Sequence, residues 1–270
     1  MKYCLVNGVE QNHIDIENRG LAYGDGLFTT AKILDGNIQY LSAHVQRLLL
    51  GCEKLALFTP NKVEFTKQLS QVAKQYSLAV LKVIITASTG GRGYARSNAP
   101  TSDVIIMVHD YPEHYDELAN KGITLGSSNQ KIGINPMLSG LKHLNRLEQV
   151  LLRQELASTK EDDLIVTNIN NEVIEATSAN LFFWLDGKLC TPDVTNSGVN
   201  GIMRQTILQK YPDIIIKKVT LAELANSPAM FICNCVMGVI PVKRYNRQNL
   251  SIILPQRLRN VIIPKVTAAL

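Results

Sequence analysis

A chain of 270 residues with 46% hydrophobic and 19% charged residues can bury a substantial core, as one large domain or two medium ones, which excludes a disordered chain. The net charge is only +5 and its lysines and arginines are scattered, which excludes a nucleic-acid footprint and favours a small anionic ligand. No run approaches the roughly 18 apolar residues of a membrane span, and the N-terminal apolar run is too short for a signal peptide. The five cysteines (Cys4, Cys52, Cys190, Cys233 and Cys235) then read as reduced thiols of a cytoplasmic protein. Cys233-Asn234-Cys235 lacks any Cys/His group at metal-ligand spacing, so no metal is expected.

In chain order, Tyr3 to Val6 and Phe28 to Leu34 read as strands leading into Asn7-Gly8 and Asp35-Gly36, dipeptides that favour type I′ hairpin turns. Ser42 is placed to cap a helix whose apolar positions Val45, Leu48, Leu49, Cys52 and Leu55 recur at helical spacing. A second helix, roughly 62 to 76, repeats the pattern with Phe65, Leu69, Val72 and Tyr76. Strands Leu81 to Ala87 and Val104 to Val108 flank a Gly/Ser/Asn-rich loop from Thr89 to Thr101. The composition shift at Tyr111-Pro112 and the polar stretch 113–121 mark a linker. It would join a smaller N-terminal α/β domain, residues 1–112, to a larger C-terminal domain, residues 122–270.

The second domain begins with a strand at 122–126, followed by a lysine segment at the start of a helix from about 144 to 158. Leu164 to Thr167 pairs with Glu172 to Glu175, and Asn180 to Leu185 with Lys188 to Thr191 across Asp186-Gly187. A helix opens near Ile202, and Ile214 to Val219 and Ala229 to Cys235 complete the strands. The fold class is α/β, mixed in the α+β sense, in two domains.

Lys142 lies in Ser139-Gly140-Leu141-Lys142-His143-Leu144-Asn145-Arg146. Gly140 permits close backbone approach, and apolar neighbours would desolvate the amine, favouring its neutral, nucleophilic form. The plain alternative is a solvated lysine at a helix start. Glu175 closes a strand before Thr177 and Ser178; it is either an exposed strand-end carboxylate or the partner of a protonated cofactor ring nitrogen. Gly198-Val199-Asn200-Gly201-Ile202-Met203-Arg204 is a glycine-bearing loop opening onto a helix, either an ordinary helix start or a phosphate site. Arg47 suits a phosphate or an internal carboxylate. Gly90-Gly91-Arg92-Gly93-Tyr94 lacks the Lys-Ser/Thr ending of a P-loop and suits a loop that lends Arg92 and Tyr94 to an anionic substrate. Tyr23-Gly24-Asp25-Gly26 is a tight turn, after which Thr29 and Thr30 offer hydroxyls; His44 and His143 read as packed residues.

Six of these features stand in register along nearly the whole chain: Arg19 with Gly24-Asp25-Gly26, Leu41 to Leu48, Gly91 to Tyr94, Lys142, Glu175 to Leu181, and Gly201 to Arg204. Together they resemble the fold-type-IV pyridoxal 5'-phosphate (PLP) enzymes, the group of branched-chain and D-amino-acid aminotransferases and aminodeoxychorismate lyases. Within that group the runs Gly24 to Thr30, Thr89 to Tyr94, Lys142 to Leu151 and Gly198 to Arg204 are most similar to the lyases. Branched-chain aminotransferases usually carry a glutamate where this chain has Thr29.

The resemblance implies PLP as cofactor and a barrel-like sheet in the C-terminal domain. It assigns Lys142 as the covalent anchor, Glu175 to the pyridine nitrogen, and Arg47, main-chain groups of Ile202 and Met203, and Asn234 to the phosphate. Arg92 and Tyr94 would face the substrate. A homodimer with active sites near the subunit interface is implied, leaving Arg92 to serve its own site or the partner's. The implied activity, a step of folate biosynthesis, converts 4-amino-4-deoxychorismate to p-aminobenzoate and pyruvate. Lys142 would remove the proton at the amine-bearing carbon, and Thr30 or Thr29 would deliver one to the leaving enolpyruvate. The alternatives are a D-amino-acid or branched-chain aminotransferase on the same scaffold, and a cofactor-free binding protein.

Overall fold

The computed structural model describes residues 1–98 and 101–262. Ala99 and Pro100 of the expected 89–101 loop, and residues 263–270 of the expected second domain, lie outside the described residues. The chain forms two compact units, Met1–Pro112 with Leu141–Arg146, and Glu113–Gly140 with Leu147–Leu270.

The first unit contains β1 (Tyr3–Val6), β2 (Val9–Glu10), α1 (Arg19–Tyr23), β3 (Gly26–Leu34), β4 (Asn37–Ile38), α2 (Leu41–Lys54), α3 (Lys62–Ala73), β5 (Leu78–Ala87) and β6 (Ser102–His109). The strands make an antiparallel sheet in the order β2-β1-β6-β5-β3-β4. Its hairpin β1-β2 turns on Asn7 and Gly8, both at positive φ, and β3-β4 turns on Asp35 and Gly36 in the same way, as type I′ geometry demands. Helices α2 and α3 turn Val45, Leu48, Cys52, Phe65, Leu69 and Val72 inward, onto one face of the sheet that carries Leu27, Ala31, Ile33, Val83, Ile85 and Ile106. Burying each large side chain in this cluster contributes about 1.5–3 kcal/mol. Ser42 does not cap α2. Tyr40 holds the N-cap position in the left-handed region, with no side-chain hydrogen bond, and Ser42 lies inside the helix.

The second unit contains α4 (His114–Lys121), β7 (Ile123–Ile132), α5 (Leu147–Ala157), β8 (Asp163–Asn168), β9 (Val173–Ala176), β10 (Asn180–Leu185), β11 (Lys188–Pro192), α6 (Ile202–Lys210), β12 (Ile215–Lys217), α7 (Leu221–Leu224), β13 (Met230–Asn234), β14 (Gly238–Tyr245), β15 (Gln248–Asn249) and α8 (Ile253–Ile262). Among the described residues the strands run β12-β11-β10-β13-β14-β7-β8-β9, with β15 added to β14. At one end of this path β9 packs back against β11, and Val173 N–H donates to Val219 O at 2.7 Å, so the sheet curls into a half-barrel. Its concave filling includes Leu125, Ile165, Leu181, Phe183, Met230 and Ile232.

Residues 113–121 are not a linker: α4 packs on β14 and buries Ala119, and its polar exposed side gives it a linker-like composition. The residues after Cys235 carry no element in the sequence reading, yet β14 is an inner strand between β13 and β7. Pro241 sits inside it opposite Phe231, just before the pairing with β7 begins at Val242, so its missing N–H is not needed on that side. No helix among the described residues is long and apolar enough to cross a membrane.

Candidate active site

Lys142 is not at the start of a helix; α5 begins only at Leu147. The segment around it is extended and completes the edge of β3. On one side β3 pairs with β5 over its full length, but β4 covers only Ile33 and Leu34 on the other. The open edge at Gly26–Phe28 takes up the lysine segment: Phe28 N–H donates to Lys142 O at 2.8 Å, Leu144 N–H donates to Gly26 O at 3.0 Å, and Leu27 and His143 form an antiparallel bridge. Asn145 Nδ2 donates to Gly24 O at 3.1 Å. Lys142 Nζ lies 4.6 Å from the centroid of the Phe28 ring, where the electron-rich face attracts an ammonium. Lys82 Nζ lies 5.4 Å from the same ring.

Strand alternation separates the two candidate threonines. Phe28 and Thr30 point to one face, with Lys82 opposite Thr30 in the register, so Thr30 shares the face of Lys142. Thr29 points to the other face, where its Oγ1 lies 2.6 Å from His44 Nδ1 of α2, both buried. Thr29 is therefore a core hydroxyl beneath α2 and not a proton donor at the lysine. Arg47 follows one turn later on α2, half-buried.

Burial, then the Arg47 charge, pushes the His44 imidazole from 6.5 down to about 3. A folded value below the unfolded one means that the unfolded chain binds the proton more tightly between those limits. This contribution to stability is therefore complete above pH 6.5 and declines as the pH falls toward 3. His44→Gln should flatten that part of a melting-temperature profile; parallel profiles for the two proteins would refute the assignment.

The Gly91–Arg96 loop is fixed by a charge cluster of which the sequence reading named Arg19 and Asp25 but not Arg96. Asp25 accepts from Arg19 Nε at 3.1 Å and from Arg96 Nε at 2.9 Å and Nη2. Arg19 donates onward to Gly93 O and Tyr94 O, each at 3.0 Å, and Arg96 Nη1 to Leu55 O and Ala56 O at 2.8 and 2.7 Å. Arg92 and Tyr94 stand exposed on this braced loop, Tyr94 against Tyr23.

In the second unit Glu175 is buried on β9, and its Oε2 accepts from Val199 N–H at 3.1 Å. Asn180 holds the same loop from β10, donating through Nδ2 to Val199 O at 2.8 Å and accepting from Gly201 N–H at 3.1 Å. Gly140 completes the bracing: its N–H donates to Gly198 O at 3.0 Å and its carbonyl accepts from Asn200 N–H at 3.2 Å. Any side chain at Gly201 would set its Cβ 2.0 Å from Asn180 Oδ1 and force the Asn180 amide off the loop that it braces. Gly201 opens α6 without a side-chain cap, so the N–H groups of Ile202 and Met203 in the first turn point out of the helix with no intrahelical acceptor. That is the geometry of an anion cradle.

Arg204 turns inward, donating to Thr191 Oγ1, Pro192 O and Asn200 Oδ1, and burial lowers its proton affinity. Asn234 likewise braces a turn. Its Oδ1 accepts from Val236 and Met237 N–H at 2.9 Å each, and Nδ2 donates to Ser178 O at 3.2 Å. The Glu175–Asn180 turn is secured by Asp163, which accepts from Thr177 Oγ1 at 2.6 Å and Thr177 N–H at 3.2 Å. The sequence reading placed Asp25 and Asn180 in motifs but not the bracing roles of Asn180, Asp25, Arg96 and Asp163, because a bracing hydrogen bond leaves no local motif. The lysine amine of the first unit, and the buried carboxylate and backbone-lined anion cradle of the second, are each groups that suit a phosphorylated pyridine aldehyde. Among the described residues no group of three or more His, Cys, Asp or Glu could hold a metal ion.

Residues 26–245 match the model of the amino-transferase class IV family. The aminodeoxychorismate lyase of Vibrio harveyi is 36% identical over 242 residues, covering 88% of this chain and 89% of the relative. The crystal structure of 4-amino-4-deoxychorismate lyase from Pseudomonas aeruginosa superposes with a TM-score of 0.92 at 30% identity, covering 97% of this chain and 99% of the other. A putative branched-chain-amino-acid aminotransferase of Methanocaldococcus jannaschii is 23% identical over 236 residues, covering 85% of this chain and 81% of the relative.

Proposed function

Because this chain belongs to the amino-transferase class IV family, we propose that it is a PLP-dependent lyase that converts 4-amino-4-deoxychorismate to p-aminobenzoate and pyruvate. The observation that carries this reading is Lys142, its backbone pinned to β3 and its amine over Phe28 on the face of Thr30. The 36% identity to a lyase, against 23% to an aminotransferase, supports elimination over amino-group exchange.

PLP, when bound, supplies an electron-withdrawing ring that acidifies the carbon bearing the substrate amine. Lys142 would anchor the cofactor, and its freed Nζ would take the proton from that carbon. Glu175 holds the proton on the pyridine nitrogen. The N–H groups of Ile202 and Met203, with the Arg47 guanidinium, bind the phosphate. Loss of the ring proton and cleavage of the neighbouring carbon–oxygen bond release enolpyruvate and leave an aromatic ring. Thr30 Oγ1 is the proton donor to the enolpyruvate, which becomes pyruvate. Arg92, with Tyr94, binds a substrate carboxylate.

Thr30→Val should lower kcat by about 10²-fold with little change in KM. Thr29→Val, which strands His44 Nδ1, should instead cost about 1–2 kcal/mol of stability. A larger kcat loss in Thr29→Val would reverse the assignment. The overall reading is tested by p-aminobenzoate release from 4-amino-4-deoxychorismate. Amino-group exchange with 2-oxo acids and no p-aminobenzoate would make the chain an aminotransferase.

The working form is a homodimer in the cytoplasm. Exposed Leu147, Val150 and Leu151, at i, i+3 and i+4 on α5, support burial against a second copy.

A further inference from the structure

We propose that Arg146 is a positioning residue for Lys142, holding the lysine backbone through a guanidinium fork on the carbonyls that flank it. Its Nη2 donates to Leu141 O at 2.5 Å and its Nε to His143 O at 3.0 Å. The carbonyl between them, that of Lys142 itself, accepts from Phe28 N–H at 2.8 Å. Three consecutive carbonyls around the reactive amine are thereby occupied, two of them by one side chain.

The need for such a device follows from the local backbone. Residues 141–146 belong to no helix or strand and make only a single bridge to β3, so no ladder of regular hydrogen bonds fixes their dihedral angles. A lysine carried on a loose segment would sample many positions, and a displacement of about 1 Å at a reacting group can lower turnover by 10²-fold. Arginine suits the task because Nε and Nη2 lie on one edge of a rigid plane and donate in parallel. A lysine ammonium is a point donor on a flexible stem and cannot span both carbonyls. The same charge has a second local effect. Burial, and then Arg146, push the neighbouring His143 imidazole down to about 4, leaving it neutral beside Lys142.

The role rests on the reading of Lys142 as cofactor anchor and proton carrier, so the experiment separates the two. Wild type, Arg146→Lys and Arg146→Gln are loaded with PLP, and borohydride fixation of the cofactor is followed by peptide mass. kcat and KM for p-aminobenzoate release are measured in parallel, with amide hydrogen exchange at Phe28, Leu144 and Ile33. Both variants should lower kcat and the fixation rate at Lys142 by about 10- to 100-fold with KM within about twofold. Exchange should quicken at Phe28 and Leu144 and stay unchanged at Ile33, deeper in the same strand. Turnover and fixation within about twofold of wild type would overturn the role of Arg146, as would equal acceleration of exchange at all three amides, which marks a merely structural residue. Fixation of the wild-type cofactor on a lysine other than Lys142 would overturn the underlying reading and this role with it.

Discussion

Lys142→Ala should lower p-aminobenzoate formation by ~10⁴-fold and abolish the visible absorption of bound PLP, while leaving the fold in place. The lysine segment is held by main-chain bonds from Phe28 and Leu144 and by the side chains of Asn145 and Arg146, none of which uses the lysine side chain. Truncation takes the amine off the Phe28 face, a contact worth about 0.5–1 kcal/mol. The melting temperature should therefore move little while turnover collapses, a separation that only a reacting group gives. Lys82, whose amine shares the Phe28 ring, is the control: Lys82→Met should retain covalent cofactor attachment. Full activity in Lys142→Ala would sink the enzymatic reading, and attachment lost in Lys82→Met but kept in Lys142→Ala would move the reaction to the other amine.

Asp25→Ala should destabilise the first unit by about 3 kcal/mol, measured by chemical denaturation, a large fraction of a typical domain's stability. Asp25 is mostly buried and neutralises two guanidinium groups, Arg19 at 7% and Arg96 at 25% side-chain exposure. Removing the carboxylate leaves two cations together, one of them out of water. Their remaining bonds hold Gly93, Tyr94, Leu55 and Ala56 carbonyls, so the Gly91–Arg96 loop and the end of α2 should loosen with them. Burial alone would raise the Asp25 carboxyl, but bonds and charge from Arg96 and then Arg19 outweigh it and hold it below the usual range near 3.8. A lowered folded value means stability that is complete above the unfolded value and lost as the pH falls through the folded one. Wild type should lose stability below about pH 4 in a step that Asp25→Ala lacks. An unchanged denaturation midpoint in Asp25→Ala would show that the two guanidiniums find other partners.

Much of this was legible locally. Asn7-Gly8, Asp35-Gly36 and Asp186-Gly187 announce turns because their backbones take positive φ, which few residue pairs tolerate. The stripes of α2 and α3 follow from a 3.6-residue period written into the chain. The loop into α6 was readable for a similar reason, since a glycine at 201 leaves room for the Asn180 amide to reach the main chain. The α4 segment was not, because a helix that buries little more than Ala119 has the composition of a linker. Nor was β14, because a proline argues against an inner strand unless it is known that pairing on one side begins only after it.

The two threonines mark the division most plainly. Adjacent residues of a strand must face opposite ways, so the sequence by itself required that Thr29 and Thr30 have different surroundings, and it supplied the lysine, the carboxylate and the glycine turn on which the proposed chemistry rests. Which face carries the lysine was decided only by tertiary structure. The edge of β3 left open by the short β4 captures residues 142–144, and α2 covers the opposite face, so Thr30 goes to the amine and Thr29 to His44. Local sequence encodes backbone preference and periodicity, whereas the pairing of an edge with a segment more than a hundred residues away depends on what else is free to fill it.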